Sequence, residues 1–481
     1  MKIKKKYIWF IILLVVVVLL VRYLFFSFSL NSLKATIEEE IDWATGMESS
    51  IEGNISGHIL PSFSVVAARV TVKDGDFLNI YAEKLEIELP LWSLFSPEFV
   101  LRGIRIKNPD VVLRYKSIDT SIPLQSSGGG GNVSENSDSI RWKLDLVDIR
   151  ILNGSFSYFN LNNLDTIQCH GIYLTSDSIT ISGDADTLQF SDVLAMGKLS
   201  IADARVNSLL LDNILLDVEI SNSILNISHK SELHRGQSQH GNFYMDLSSD
   251  IPSYHIVQDI DGFRIEKFLE RFEEEPIMKG KMDFSVDLRF SGKSGSDRWL
   301  SSSGKMHLEG DSLILYGTDL DKLAKQFERT QKFTLIDVSA LFLAGPVGIA
   351  VTKGTEYANL LISNKGDSTI VHEFVSEWTL GSGELSTEDV AFSTQENRIA
   401  VRGSVSLWHE TFNDLEFALV NDAGCAVFQQ SISGRFTEPE VSDVKVVKTI
   451  IAPVKNIFKG KKCKNPFYEG TVKPHHLKKE K

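Results

Sequence analysis

Lys281-Met-Asp-Phe-Ser-Val-Asp-Leu-Arg-Phe-Ser291 alternates without exception. Met282, Phe284, Val286, Leu288 and Phe290 fall on one side of an extended chain, and Asp283, Ser285, Asp287 and Arg289 on the other. A repeat of two residues with one apolar and one wet side is the mark of a strand in an antiparallel sheet. Ile214, Leu216, Val218 and Ile220 repeat the pattern, and Leu85, Ile87 and Leu89 do so against Lys84, Glu86 and Glu88. Weaker alternation runs through 111–116, 142–149, 172–181, 399–407 and 415–419. Turn signals punctuate these runs at Lys73–Asp76, Asn153-Gly154, Gly183-Asp184, Gly292–Gly295 and Gly381–Gly383.

Helical spacing is scarce. Leu33, Ile37 and Ile41 predict a helix over 31–44 that continues from the segment before it. Ile265, Phe268, Leu269 and Phe272 mark a second, Thr318–Lys332 a third capped by Thr318 or Asp319, and 445–458 a fourth. So few helices cannot cover the apolar side of so many strands. Either a second sheet covers it, giving a closed sandwich, or the sheet curls and its hollow holds something apolar. On pattern alone both remain open.

Charge separates the ends from the body. Residues 1–30 carry five cations and no acid, and residues 441–481 carry eleven Lys against three acids, so of the net −13 about −26 lies on residues 31–440. An acidic body of this kind excludes nucleic acid as a partner, because phosphates need a basic footprint. Lys2, Lys4, Lys5 and Lys6 precede fifteen uncharged residues, Tyr7 to Val21. Tyr7 to Leu30 as a helix would measure about 36 Å, enough for a hydrocarbon core of roughly 30 Å, with Arg22 reaching the headgroups. The expectation is a single transmembrane signal anchor over 1–30 with its amino terminus in the cytoplasm and everything after it on the far side.

Catalytic signatures are missing. The eleven His are dispersed, and no His-Glu-x-x-His, Gly-x-Ser-x-Gly elbow or C-x-x-C occurs. Ser126–Asp138 is Gly/Ser-rich but lacks the Gly-Lys-Ser/Thr ending of a phosphate loop, so it reads as a flexible linker. No enzyme, cofactor or metal is expected. Cys425 and Cys463 can pair across the last two segments, leaving Cys169 as a buried thiol.

Both ends of the chain carry a resemblance. After the anchor come Ile37-Glu-Glu-Glu-Ile41, Thr45-Gly46, Val70-Thr-Val-Lys-Asp74, 82–90, Leu94 and Leu101-Arg-Gly-Ile-Arg-Ile-Lys-Asn-Pro-Asp-Val-Val-Leu-Arg114. Towards the carboxyl end stand Gly317–Phe327, Phe333–Pro346, Val351–Gly354, Asp389–Phe392, Glu396–Val401, Gly424-Cys425, Ile432–Gly434, Pro439 and Cys463-Lys-Asn-Pro-Phe-Tyr-Glu-Gly-Thr-Val472. In order and spacing these resemble the AsmA family over 1–118 and 304–474, including its strand–Asn-Pro–strand corner, its paired cysteines and its ending.

The resemblance implies a Gram-negative inner-membrane protein with a periplasmic β-rich body that supports outer-membrane assembly. AsmA proteins are similar to bridge-like lipid-transfer proteins, whose curled sheets hold acyl chains in a groove. The expected fold is therefore mainly β: a transmembrane helix, then an elongated, curled antiparallel sheet with a few short helices. Its organisation reads as an anchor (1–30), an amino-terminal β region (31–118), a flexible Gly/Ser-rich loop (119–139), a β-rich middle (140–303), a carboxyl-terminal β region with a helix near 318–332 (304–440) and a basic tail (441–481). Groove candidates are Leu85, Ile87, Leu89, Ile214, Leu216, Val218, Ile220, Met282, Phe284, Val286, Leu288 and Phe290. The expected partners are membrane lipids, with outer-membrane or periplasmic proteins beside them. About 20–24 strands spaced at roughly 4.8 Å span near 100–115 Å, short for a bridge across the periplasm by one chain. The alternative is a scaffold or regulator of outer-membrane protein assembly with a closed sandwich core.

Overall fold

The computed structural model describes residues 14–17, 28–58, 63–90, 101–115, 141–146, 148–162, 165–184, 190–207, 209–233, 236–269, 278–317, 319–322, 367–446 and 463–475. Two compact units divide the chain, Met1–Ser231 and Glu232–Lys481. Strands dominate both, as the alternation demands.

The first unit contains β1 (Phe28–Ser29), β2 (Glu48–Ile51), β3 (Ile55–His58), β4 (Phe63–Asp74), β5 (Leu78–Leu89), β6 (Gly103–Tyr115), β7 (Arg141–Leu146), β8 (Asp148–Asn160), β9 (Thr166–Asp184), β10 (Val193–Val206) and β11 (Leu209–Ser221). β2 and β3 share β4 end to end, β5 and β6 follow as antiparallel neighbours, and β9 to β11 close the series. One pair departs from the expected antiparallel order: β6 and β8 run parallel. β7 and β8 lie in tandem along β9, and a parallel neighbour requires the chain to return along the sheet before entering it. β12 (Ile224–Leu233) crosses the division between the units.

The edge at β2 is sealed by α1 (Lys34–Thr45), which ends on left-handed Gly46. Its Asp42 and Glu38 carboxylates accept the Ser49 and Ile51 backbone N–H groups at 2.6 and 2.5 Å, and Asn31 Oδ1 accepts that of Ile55 at 2.7 Å. Residues one turn apart on the helix thus substitute for the missing strand and cover an edge that would otherwise pair with another chain. The helix does not continue directly from the segment before it. Phe28–Ser29 is extended and pairs with Ser56 and Gly57 of β3, which corrects the expected unbroken helix through Leu30. Residues 14–17 are helical, and among the described residues no helix is long and apolar enough to cross a membrane.

A line of irregular residues crosses this sheet. Arg69, Asn108, Asn153 and Asn213 adopt positive φ, as does Gly171, and the registers of neighbouring strands skip Glu83 and Ala202 at the same level. Asn is the non-glycine residue most tolerant of that conformation, and Asn153 Nδ2 donates to Asn108 Oδ1 at 2.9 Å across the parallel pair. Asn153-Gly154 therefore lies inside β8, where the register with β9 is locally irregular, and Asn108-Pro109 lies inside β6, where a turn and a corner were expected. Gly183-Asp184 likewise ends β9 rather than turning it. Each strand carries one such residue at this level, so the alternation shifts in all of them together while their mutual register is the same on both sides of the line, and Val70 shares a buried cluster with Ala67.

The second unit contains β13 (Gln237–Asp246), β14 (Ser253–Arg264), β15 (Met278–Lys279), β16 (Lys281–Ser291), β17 (Ser303–Tyr316), β18 (Ser368–Gly381), β19 (Glu384–Ser393), β20 (Arg398–Ser406), β21 (Thr411–Val420), β22 (Ala426–Arg435), β23 (Glu438–Val441) and β24 (Lys445–Val446). β13, β14 and β16 to β22 pair antiparallel in order, β15 lies on β17, and β23 and β24 share β22. The expected second helix is α2 (Ile265–Leu269), and α3 (Gly295–Leu300) sits between β16 and β17. Lys445–Val446 is extended, correcting the start of the helix expected over 445–458, whose remainder lies outside the described residues. Most of the helix expected over 318–332 and the whole Gly/Ser-rich stretch lie outside them too.

Candidate apolar face and carboxyl-terminal clasp

Register assembles the alternating residues of the first unit into rows. Residues directly opposite in a sheet share a face, so Ile55, Ala67, Leu85, Ile106, Ile151, Leu174, Leu199 and Leu216 form one row across eight strands. Beside it runs Val65, Ile87, Ile104 and Ile149, ending through Ser176 and Gly197 at Val218. Ile214 pairs with Ile201, and Ile220 with Ala195. Helix α1 and Leu30 cover the first strands, burying Ile51, Ile55, Ala67 and Val70. From Leu85 onward the row is only half-buried.

The reverse face is ionic. Arg105 bridges Glu88 at 2.7 Å and Asp148 at 2.9 Å, while Arg150 holds the same Asp148 at 2.6 Å. Partial burial works against ionisation of Asp148, but the hydrogen bonds from Arg150 and Arg105 outweigh it and hold its carboxyl below the usual range. Cys169, expected as a buried thiol, is half-buried between Phe156 and Ala204, where burial first, and then the Asp203 carboxylate, push its thiol upward.

In the second unit the face through β16 has the same half-buried character. Phe284, Val286, Leu288 and Phe290 stand opposite Ile260, Gln258, Ile256 and Tyr254 on β14, while Met282 is fully buried. Beyond β17 the row closes. Phe374, Trp378, Phe392, Val401 and Phe417 are all at most 4% exposed. Of the twelve sequence candidates, Ile214 and Met282 are buried and the other ten half-buried. Register joins those on β5 and β11 through Ile104, Ile106, Ile149, Ile151, Leu174 and Leu199, whose shorter alternations carried the same signal.

A second cluster occupies the opposite face of β18 to β21. Val375, Ala391, Ala400, Ala418 and Val420 pack against Tyr468 and Val472 of the segment 463–475. A Cys425–Cys463 disulfide fixes that segment, with the Cα atoms 5.9 Å apart. Tyr468 donates to Asp389 Oδ1 at 2.5 Å, and Thr471 donates its N–H and hydroxyl to Oδ2 at 2.8 and 2.7 Å. Arg398 donates to the Val472 and Asn421 carbonyls at 2.9 and 2.7 Å beneath the Tyr468 ring. Burial, then the bond to Asp389, raise the Tyr468 phenol well above its ordinary value. Among the described residues no three His, Cys, Asp or Glu converge as metal ligands.

These features define a mainly-β protein in which each unit carries an apolar sheet face, half-covered along part of its rows and, in the second unit, sealed beyond β17. The model of the AsmA family matches residues 1–201 and 184–390, and the chain belongs to that family. The match includes the middle region, where the sequence motifs gave no likeness, and stops before the clasp. No curated protein and no solved structure matches the chain.

Proposed function

We propose that this protein is a non-enzymatic carrier anchored in the inner membrane of a Gram-negative bacterium, with its β-rich body in the periplasm. It binds phospholipid acyl chains along its half-buried apolar faces in support of outer-membrane biogenesis. The observation that carries this reading is the row from Leu85 to Leu216, apolar in every strand yet left half-covered. A sandwich would seal such a row, because each buried aliphatic side chain stabilises by roughly 1.5–3 kcal/mol. Membership of the AsmA family points the same way, towards outer-membrane assembly or lipid transport.

A scaffold with a closed core is favoured by a different observation, the sealed row at Phe374, Trp378 and Phe417. Mass spectrometry of lipids co-purifying with the full chain separates the two. Stoichiometric phospholipid supports the carrier, and lipid-free protein sinks it. A reporter joined after Lys481 should be active only in the periplasm, and cytoplasmic activity would overturn the location.

A further inference from the structure

One end of the strands of the second unit carries exposed apolar side chains on successive loops. Ile251 (59% exposed) precedes β14, Trp299 (37%) and Leu300 (60%) end α3, and Trp408 (43%) lies in the turn between β20 and β21. Hydrogen bonds stitch these loops together. Gly292 donates to the Pro252 carbonyl at 2.9 Å, and Ser301 Oγ donates to that of Ser291. Ser302 donates its hydroxyl to the Trp299 carbonyl at 2.6 Å and accepts the Gly383 N–H at 2.9 Å. Leu407, beside Trp408, donates to the Gly383 carbonyl at 3.0 Å. Reciprocal bonds between Ser294 and Asp297 cap α3, so the Asp297 carboxylate is turned to its own backbone. Four exposed apolar side chains are therefore held on one rigid edge.

We infer that this edge is a docking rim for a phospholipid bilayer, with Ile251, Trp299, Leu300 and Trp408 entering the boundary between headgroups and acyl chains. Trp is the side chain suited to that depth; Lys293 and Arg298 adjoin it with positive charge for phosphate, and Asp250 and Glu410 adjoin it with negative charge. The rim is continuous with the apolar face: Phe290 stacks on Tyr254 with centroids 5.0 Å apart, and the Arg298 guanidinium lies 5.9 Å over Tyr254. Four side chains fall short of the roughly 800 Å² per partner of a standard protein interface, but suffice for shallow, reversible bilayer contact. Passing chains between face and bilayer rests on the proposed lipid-binding function. The contact itself does not.

The full-length chain, held in nanodiscs through its amino-terminal segment, is mixed with separate vesicles of brominated phosphatidylethanolamine and phosphatidylglycerol. Co-flotation and quenching of Trp fluorescence are measured, with vesicle-free loading of a fluorescent phospholipid read in parallel. The native chain should co-float and be quenched. Trp299→Ser with Leu300→Ser should lower co-flotation at least about tenfold, as expected for removing two partly inserted apolar side chains. Its melting temperature and lipid loading should not change. Trp43→Ser, which alters an 85% exposed side chain on the other unit, should behave as the native chain. A double variant that still co-floats overturns the rim. So does a native chain that ignores protein-free vesicles, an outcome that would make a protein the partner. Co-flotation without lipid loading would instead sink the carrier function and leave the rim standing.

Discussion

Placing one carboxylate at two positions of the second unit measures how open its apolar face is. Val286 on β16 is half-buried and stands between Gln258 and Met306, so a polar group already lies beside it. Val401 on β20 is 4% exposed, between Val390 and Phe417, which are themselves at most 1% exposed. In Val401→Asp the carboxylate has no water and no partner, which costs about 3–5 kcal/mol. For a unit of about 250 residues that lowers Tm by roughly 6–20 °C, enough for the variant to be degraded in cells. In Val286→Asp the carboxylate reaches water, and the loss is part of one valine's burial, about 1 kcal/mol or roughly 2–4 °C. Calorimetry of both variants gives the stability difference, and phospholipid loading gives the function. Val286→Asp should fold and load poorly, because acyl chains avoid a charge in their path. Equal destabilisation by the two substitutions would refute the reasoning, since it would mean that the face at β16 is as sealed as that at β20.

The clasp supplies three further expectations. Closing a 38-residue separation stabilises by about 4 kcal/mol on the chain-entropy model, so Cys463→Ser should lower the melting temperature of the second unit and abolish an intramolecular crosslink that Cys169→Ala leaves intact on non-reducing gels. Tyr468 has its folded-state value raised above that of the unfolded chain, so its contribution is complete below about pH 10 and lost as pH rises beyond it. Absorbance at the phenolate band should then show one tyrosine that ionises only as the protein unfolds, a step that Tyr468→Phe removes. Gly424 has φ +78°, and a Cβ there would lie 1.9 Å from the Tyr468 carbonyl oxygen. Gly424→Ala should therefore cost roughly 2–3 kcal/mol and expose the Phe467 and Tyr468 amides to hydrogen exchange, and unchanged protection would count against the clasp geometry.

Much of this was readable in the residues, and the misses have physical causes. The alternation in 281–291 is strict because one side of β16 meets water, as Asp283 and Arg289 show by their exposure. Asn153-Gly154 and Asn108-Pro109 read as a turn and a corner because Asn tolerates positive φ wherever a chain leaves the regular pleat. Only the neighbouring strands, continuing on both sides, place them inside β8 and β6. The clasp had a signal too: the positions that alternate with Phe392, Ile399 and Phe417 are Ala391, Ala400 and Ala418, where the wet side of β16 carries charges. Small apolar residues there mean that a second layer covers that face.

The sequence by itself determined the strand class, the polarity of each face and the helix after the amino-terminal segment, because these depend on residues within a few positions of one another. Only the tertiary structure decided that β6 lies parallel to β8, that the positive-φ residues align in one line, and that Val286 is half-covered while Phe417 is sealed. Val286 on β16 and Phe417 on β21 both belong to apolar sides of their strands, and nothing local to those sides distinguishes them. Which side is covered depends on chain brought there from far along the sequence, and burial belongs to that packing rather than to the strand.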